Sequence, residues 1–178
     1  MQRRVALLRG INLGPHKRIA MGELRDALGE AGYEEVQTYV QSGNIVLGTD
    51  APPNNLEGEL ERLIRDRWGF DVPVIVRTRR ELAEVVKGNP LAKVATNPKR
   101  YQVTFLDREL EPRRVEELNA LARESERLVV RGRELYAWHP EGVARSKLSA
   151  KLAGQGLGVK ASARNWTTVE TLLGMASE

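Results

Sequence analysis

The sequence predicts an α+β protein, a ferredoxin-like βαββαβ subdomain packed against a second α/β subdomain. Three observations carry that expectation. Over the first 79 residues, apolar runs and helical periodicities alternate as strand-helix-strand-strand-helix-strand, the split βαβ order. From Arg80 an alternation of helices and strands restarts without being an obvious sequence repeat of the first. No low-complexity stretch or flexible linker parts the halves, so residues 1–79 and 80–178 are expected to share one compact unit.

The elements follow in order. "RRVALLRG" is a strand over Arg4 to Arg9. Val5 and Leu7 lie on one parity and Ala6 and Leu8 on the other, so the strand should be covered on both faces. Met21, Leu24, Leu28 and Ala31 recur at helical spacing, and Gly32 follows as a stop. Val36 to Val40 and Ile45 to Gly48 are strands either side of "QSGN". Leu56, Leu60, Leu63 and Ile64 are in phase on a helix from Asn55 to Trp68, and "VPVIVRT" is the fourth strand.

Beyond Arg80, Leu82, Val85 and Val86 mark a connecting helix, and "GNPLAKVATNPKR" is a loop with two Asn-Pro steps. "YQVTFL" is a strand, Pro112 to Arg123 a helix opened by proline, and "RLVVRG" with "ELYAWH" a hairpin around Gly132. Two helices close the chain, near Lys147 to Ala153 and Thr167 to Met175, with "GQGLG" at 154 to 158 as a stop and turn between them.

Composition bounds the function. With 41% hydrophobic and 29% charged residues in a 178-residue chain, a sizeable core and an ordinary soluble composition are expected. The absence of cysteine excludes disulfides, thiolate metal sites and cysteine nucleophiles, and suits a cytoplasmic location. No run reaches the ~20 apolar residues of a membrane helix, so no membrane partner is expected. The 28 basic and 24 acidic residues leave a net charge of +4 and a pI near 9.6, a weak bias toward anionic partners.

Familiar catalytic motifs are missing. There is no Walker-type phosphate loop, and "GQGLG" follows a helix where a dinucleotide fingerprint follows a strand. His16 and His139 have no companion at metal-ligand spacing, so no metal is expected. What remains is four segments mixing cations with serine, asparagine and glycine. "RGINLGPHKR" offers Arg9 and Asn12, with Gly10 and Gly14 freeing the backbone to approach a ligand. "QSGN" offers Ser42, Gly43 and Asn44. "ARSKLSAK" offers Arg145, Ser146 and Lys147, and "SARNWTT" offers Arg164 and Asn165 before a helix that Thr167 and Glu170 would open as a capping box. Cations, flexible glycines and helix-start amides together make an anion site. Turn and capping chemistry alone accounts for each segment as well.

Taken in order, these segments resemble the bacterial domain-of-unknown-function 1697 family, through "LLRGIN-x-G" (Leu7 to Gly14), "TY-x-QSGN" (Thr38 to Asn44), "HP-x-G-x-x-RSKL" (His139 to Leu148, with Tyr136 before it) and "ARNW" (Ala163 to Trp166). Pro15 and Ala20 depart from the pattern, which has glycine and proline there. The resemblance implies the α+β architecture read above, and no reaction, substrate or cofactor.

The leading expectation is that Arg9, Asn12, Gly14, Ser42, Gly43, Asn44, Arg145, Ser146, Lys147, Arg164 and Asn165 line a cleft between the subdomains and bind a small anionic, phosphate-bearing molecule. In a ferredoxin-like unit "RGIN" and "QSGN" leave the same end of the sheet. A nucleic-acid module is the weaker alternative, since the first subdomain's strands offer only Tyr39 for stacking. In a third reading the four motifs are structural and lock the subdomains together.

Overall fold

The computed structural model describes residues 1–154 and 156–178, so Gln155 of the expected "GQGLG" turn lies outside the described residues. The chain falls into two units, Met1–Ala83 with Thr171–Glu178, and Glu84–Glu170. Among the described residues there are two four-stranded antiparallel sheets and six helices, an α+β architecture.

In the first unit, β1 (Gln2–Leu8), α1 (Met21–Glu30), β2 (Glu34–Tyr39), β3 (Asn44–Thr49), α2 (Pro53–Trp68) and β4 (Val74–Thr78) give the sheet order β2-β3-β1-β4. This is the ferredoxin-like order, and α3 (Arg79–Lys87) follows it. β1 pairs with β3 on one side and β4 on the other, and Arg4 to Leu8 are buried throughout. One face of the sheet carries Ala6, Leu8, Ile45, Leu47, Val74 and Val76, packed with Leu24 and Leu28 of α1 and Leu56, Leu60 and Ile64 of α2. The opposite parity, Val5, Leu7, Val46 and Ile75, is equally buried, which is why these strands read as continuous apolar runs. Gly32, at φ 96, ends α1: its N–H donates to Gly29 O, and that of Tyr33 donates to Leu28 O, a Schellman stop.

In the second unit, β5 (Tyr101–Leu106), α4 (Pro112–Leu121), β6 (Arg127–Arg131), β7 (Glu134–Trp138), α5 (Lys147–Ala153) and β8 (Ala161–Asn165) give the order β6-β7-β5-β8, and α6 (Trp166–Ala176) follows. With each strand number lowered by four, this is the topology of the first unit. The repeat extends to single hydrogen bonds. Leu8 N donates to Gly43 O at 2.8 Å, and Leu106 N to Arg133 O at 2.9 Å; Arg9 N donates to Pro73 O at 3.1 Å, and Asp107 N to Lys160 O at 3.1 Å. The core beneath this sheet joins Leu106, Leu135, Ala137 and Ala161 to Leu118 of α4 and Leu148 and Leu152 of α5.

Two sequence expectations change. The stretch 161–165, to which the sequence assigned no element, is a strand, β8. The last helix begins at Trp166, and Asn165 caps it by accepting from Thr168 N at 2.9 Å, so the Thr167–Glu170 capping box does not form.

Candidate functional site

Of the sequence-predicted residues, Arg9, Asn12, Gly14, Ser42, Gly43 and Asn44 belong to the first unit, and Arg145, Ser146, Lys147, Arg164 and Asn165 to the second. In the first unit the loop after β1 does meet the turn between β2 and β3. Asn12 makes the junction: its Nδ2 donates to Gln41 O at 2.7 Å and to Ile19 O at 2.9 Å, while its Oδ1 accepts from Ile19 N at 2.9 Å. Asn44 is fully buried, and its Nδ2 donates to Tyr39 O at 3.0 Å and Ser42 Oγ at 2.9 Å. Both amides are therefore used by the loops themselves. Gly43 is required sterically, because it sits at φ +87 and a Cβ there would lie 2.6 Å from Leu8 Cβ.

Other groups at this end face outward. Ser42 is exposed and Arg9 half-buried, with the Arg9 guanidinium making no hydrogen bond or ion pair among the described residues. Gly14 has open space where a Cβ would stand, and its carbonyl accepts a long, 3.4 Å bond from Arg18 Nη1. A pocket of about 440 Å³ opens here, lined by Asn12, Gln41, Arg18, Ile19, Ala20, and Met21 and Glu23 at the start of α1. Ala20 is the N-cap of α1 and supplies no side-chain cap, and Met21 and Glu23 of the first turn line this pocket. Four non-glycine residues among those described have positive φ, and three of them, Asn12 (55), Lys17 (53) and Val40 (50), lie on these two loops.

In the second unit Arg145 and Lys147 are exposed, and Ser146 is the buried N-cap of α5, accepting from Ser149 N at 3.0 Å. Arg164 is buried, its Nη1 donating to Ser162 Oγ and Ala163 O at 2.8 Å, and burial brings its guanidinium down to about 10. In the repeat its counterpart is Arg77, paired with Val5 of β1 as Arg164 is with Val103 of β5, and only 1% exposed. Sequence reasoning passed over Arg77, although "VRT" before α3 parallels "ARN" before α6. Trp166 belongs to the core and stacks on Tyr101 at 5.0 Å between ring centroids.

A buried polar cluster also escaped the sequence reading. Glu126 Oε2 takes His139 Nδ1 and Ser146 Oγ, each at 2.5 Å, and Glu126 Oε1 accepts from Arg123 N at 2.9 Å. Burial acts to raise the Glu126 carboxyl, but these hydrogen bonds outweigh it and hold the group below its ordinary value. The cluster combines serine, histidine and a carboxylate without being a catalytic triad. Serine and carboxylate share the Nδ1 side of the ring, Ser146 Oγ donates directly to the carboxylate, and Nε2 is buried without a partner, so the imidazole does not stand between serine and carboxylate as a triad requires. Among the described residues, no group of three or more His, Asp or Glu could hold a metal ion, and no helix is long and apolar enough to cross a membrane.

Residues 1–136 match the family model described as protein of unknown function (DUF1697). That span contains "LLRGIN" and "TYVQSGN", while the stretches His139 to Leu148 and Ala163 to Trp166 lie beyond it. Among solved structures, the conserved bacterial protein SP0830 from Streptococcus pneumoniae is similar over 98% of each chain, with a TM-score of 0.80 and 22% identity. At that identity the likeness is one of fold. No curated protein matches the chain. With the family model covering well over half of its length, the chain belongs to the DUF1697 family.

Proposed function

We propose that the protein binds a small anionic, phosphate-bearing molecule in the pocket between the loop after β1 and the β2–β3 turn. One observation carries the reading: three of the four positive-φ non-glycine residues described lie on the two loops that meet at this pocket. Each such residue costs on the order of 1 kcal/mol, and backbone strain of this kind collects where a loop is held in shape for a ligand. Val40 is the most telling, since a β-branched residue strongly disfavours this conformation, and here it is also solvent-exposed.

The chemistry of the lining favours an anion. Arg18 has only its long bond to Gly14 O, leaving other N–H groups of the guanidinium for a ligand, and Arg9 stands nearby in sequence at the end of β1. The uncapped start of α1 adds backbone donors and the positive end of a helix dipole. Glu23 also lines the pocket and is the internal competitor for these donors. The aromatic side chains on the strands, Tyr39, Tyr101, Phe105, Tyr136 and Trp138, are buried or half-buried and form no stacking platform, so a nucleic-acid reading lacks its main requirement.

Thermal denaturation against inorganic phosphate, nucleotides and sugar phosphates tests the reading. A ligand present at about 100 times its dissociation constant adds roughly 2.7 kcal/mol and raises Tm by several degrees. The rise is expected with phosphate-bearing compounds on the wild type, and to shrink in Arg18→Ala. No rise across the panel would return these loops to a purely structural role.

A further inference from the structure

The second unit repeats the first, and its counterpart of the strained sheet end is also hollow. The loop leaving β5 and the first turn of α4 border a cavity of about 420 Å³, just as the loop leaving β1 and the first turn of α1 border the pocket described above. The far walls differ. In the first unit it is Gln41 of the hairpin turn; in the second it is the segment Leu157 to Val159 that leads into β8.

Three arginines line this second cavity, Arg108, Arg113 and Arg114. The guanidinium groups of Arg108 and Arg114 approach bare backbone. Arg108 Nη2 donates to Gly158 O at 2.9 Å, and Arg114 Nε lies 3.8 Å from where a Cβ on Gly158 would stand. Gly158 has φ +78, which only glycine adopts without strain, so no side chain enters here. The N–H groups of Gly158 and Val159 have no hydrogen-bond partner among the described residues.

Two carboxylates share the lining, Glu109 and Glu111. Glu111 reaches Arg113 only at 3.7 Å, and Arg114 pairs with Glu117 at 3.3 Å on the helix surface. Such exposed pairs contribute little and exchange readily for a better acceptor. Arg108 commits one of its five N–H donors and keeps the others.

We infer that this cavity is a second anion site, which takes a phosphate-type oxyanion on the forked donors of Arg108 and Arg114 and the amides of Gly158 and Val159. A tetrahedral oxyanion matches two guanidinium forks and adjacent backbone N–H groups in both charge and geometry. The inference rests on the cavity and its own cations, and does not require the first pocket to be occupied.

The test is an amide-resolved NMR titration of the full chain with inorganic phosphate and with pyrophosphate, on wild type, Arg18→Ala, Arg108→Gln and Arg114→Gln. Saturable shifts are expected at Gly158 and Val159, unchanged in Arg18→Ala and with roughly tenfold or greater loss of affinity in Arg108→Gln and Arg114→Gln. If Arg108→Gln fails to fold, Arg114→Gln decides, because it gives up only an exposed ion pair. Shifts confined to Met21, Gly22 and the Arg18 loop would overturn this inference and leave the first-site reading standing. Shifts confined to Gly158 and Val159 would do the reverse. Silence at both ends would overturn both, and shifts at 158–159 that survive in Arg114→Gln would overturn the assignment to this cavity.

Discussion

Gly43 meets Leu8 so closely that an added methyl would lie 2.6 Å from Leu8 Cβ, 3.1 Å from Ile11 Cδ1 and 3.3 Å from Leu8 O, at a φ that alanine resists. Both neighbouring residues are core, so neither yields cheaply. Gly43→Ala is expected to destabilise the fold by about 2–3 kcal/mol, read as a lower urea midpoint at unchanged m-value. A second prediction concerns Glu126, whose carboxyl is held below the ordinary 4.5 by donors on three segments. Its folded pKa is lowered, so its contribution is fully present above the unfolded value and is lost as pH falls through the folded one. Glu126→Gln should therefore cost about 2–3 kcal/mol near neutrality, with the gap in Tm between variant and wild type closing below the ordinary carboxylate range; a gap independent of pH would contradict this. The two residues differ in legibility. Gly43 announces itself in "QSGN" through turn chemistry, whereas Glu126 acquires its role from His139 and Ser146, which only folding brings to it.

Among the elements, β8 shows what pattern reading misses. "ASARN" has no β-branched or aromatic residue, yet it pairs with β5 along its whole length and is buried at Ala161, Ser162 and Arg164. Small side chains suit a strand that must fit beneath close neighbours, but they leave no propensity signal. The same five residues held a cap that was visible as chemistry and misplaced by two positions. Asn165→Ala should remove the Asn165–Thr168 bond and cost about 1 kcal/mol, measurable by equilibrium denaturation. By contrast the strand-helix order of the first unit, the Gly32 stop and the proline-opened α4 were legible, because each rests on a local rule: periodicity, positive φ, a missing donor. The meeting of "RGIN" with "QSGN" was legible too, since chain order in a βαββαβ unit puts both at one sheet end, and Asn12 joins them.

For the molecule as a whole the principal finding is the repeat, which sequence comparison of the two halves did not reveal because without β8 the second lacked its fourth strand. Each sheet places one strand, β1 or β5, between two partners, with β2 and β6 at the edges. Native-state hydrogen exchange should therefore be slowest in β1 and β5 and faster in β2, whose pairing with β3 slips between Glu34 and Gln37. Equal exchange in β1 and β2 would count against this ranking. The first unit is also not contiguous: its last piece is Thr171–Glu178, the end of α6 and the residues beyond, tied back by Arg79 Nε to Ser177 Oγ at 3.2 Å. On a ribosome this has a consequence in time. The four strands of the first sheet are all synthesised once Thr78 has emerged, so that sheet can close early, but the unit waits for its final eight residues until the second has been made. Its completion thus follows synthesis of the second unit, and a chain stalled before residue 171 would display a finished sheet in an unfinished unit.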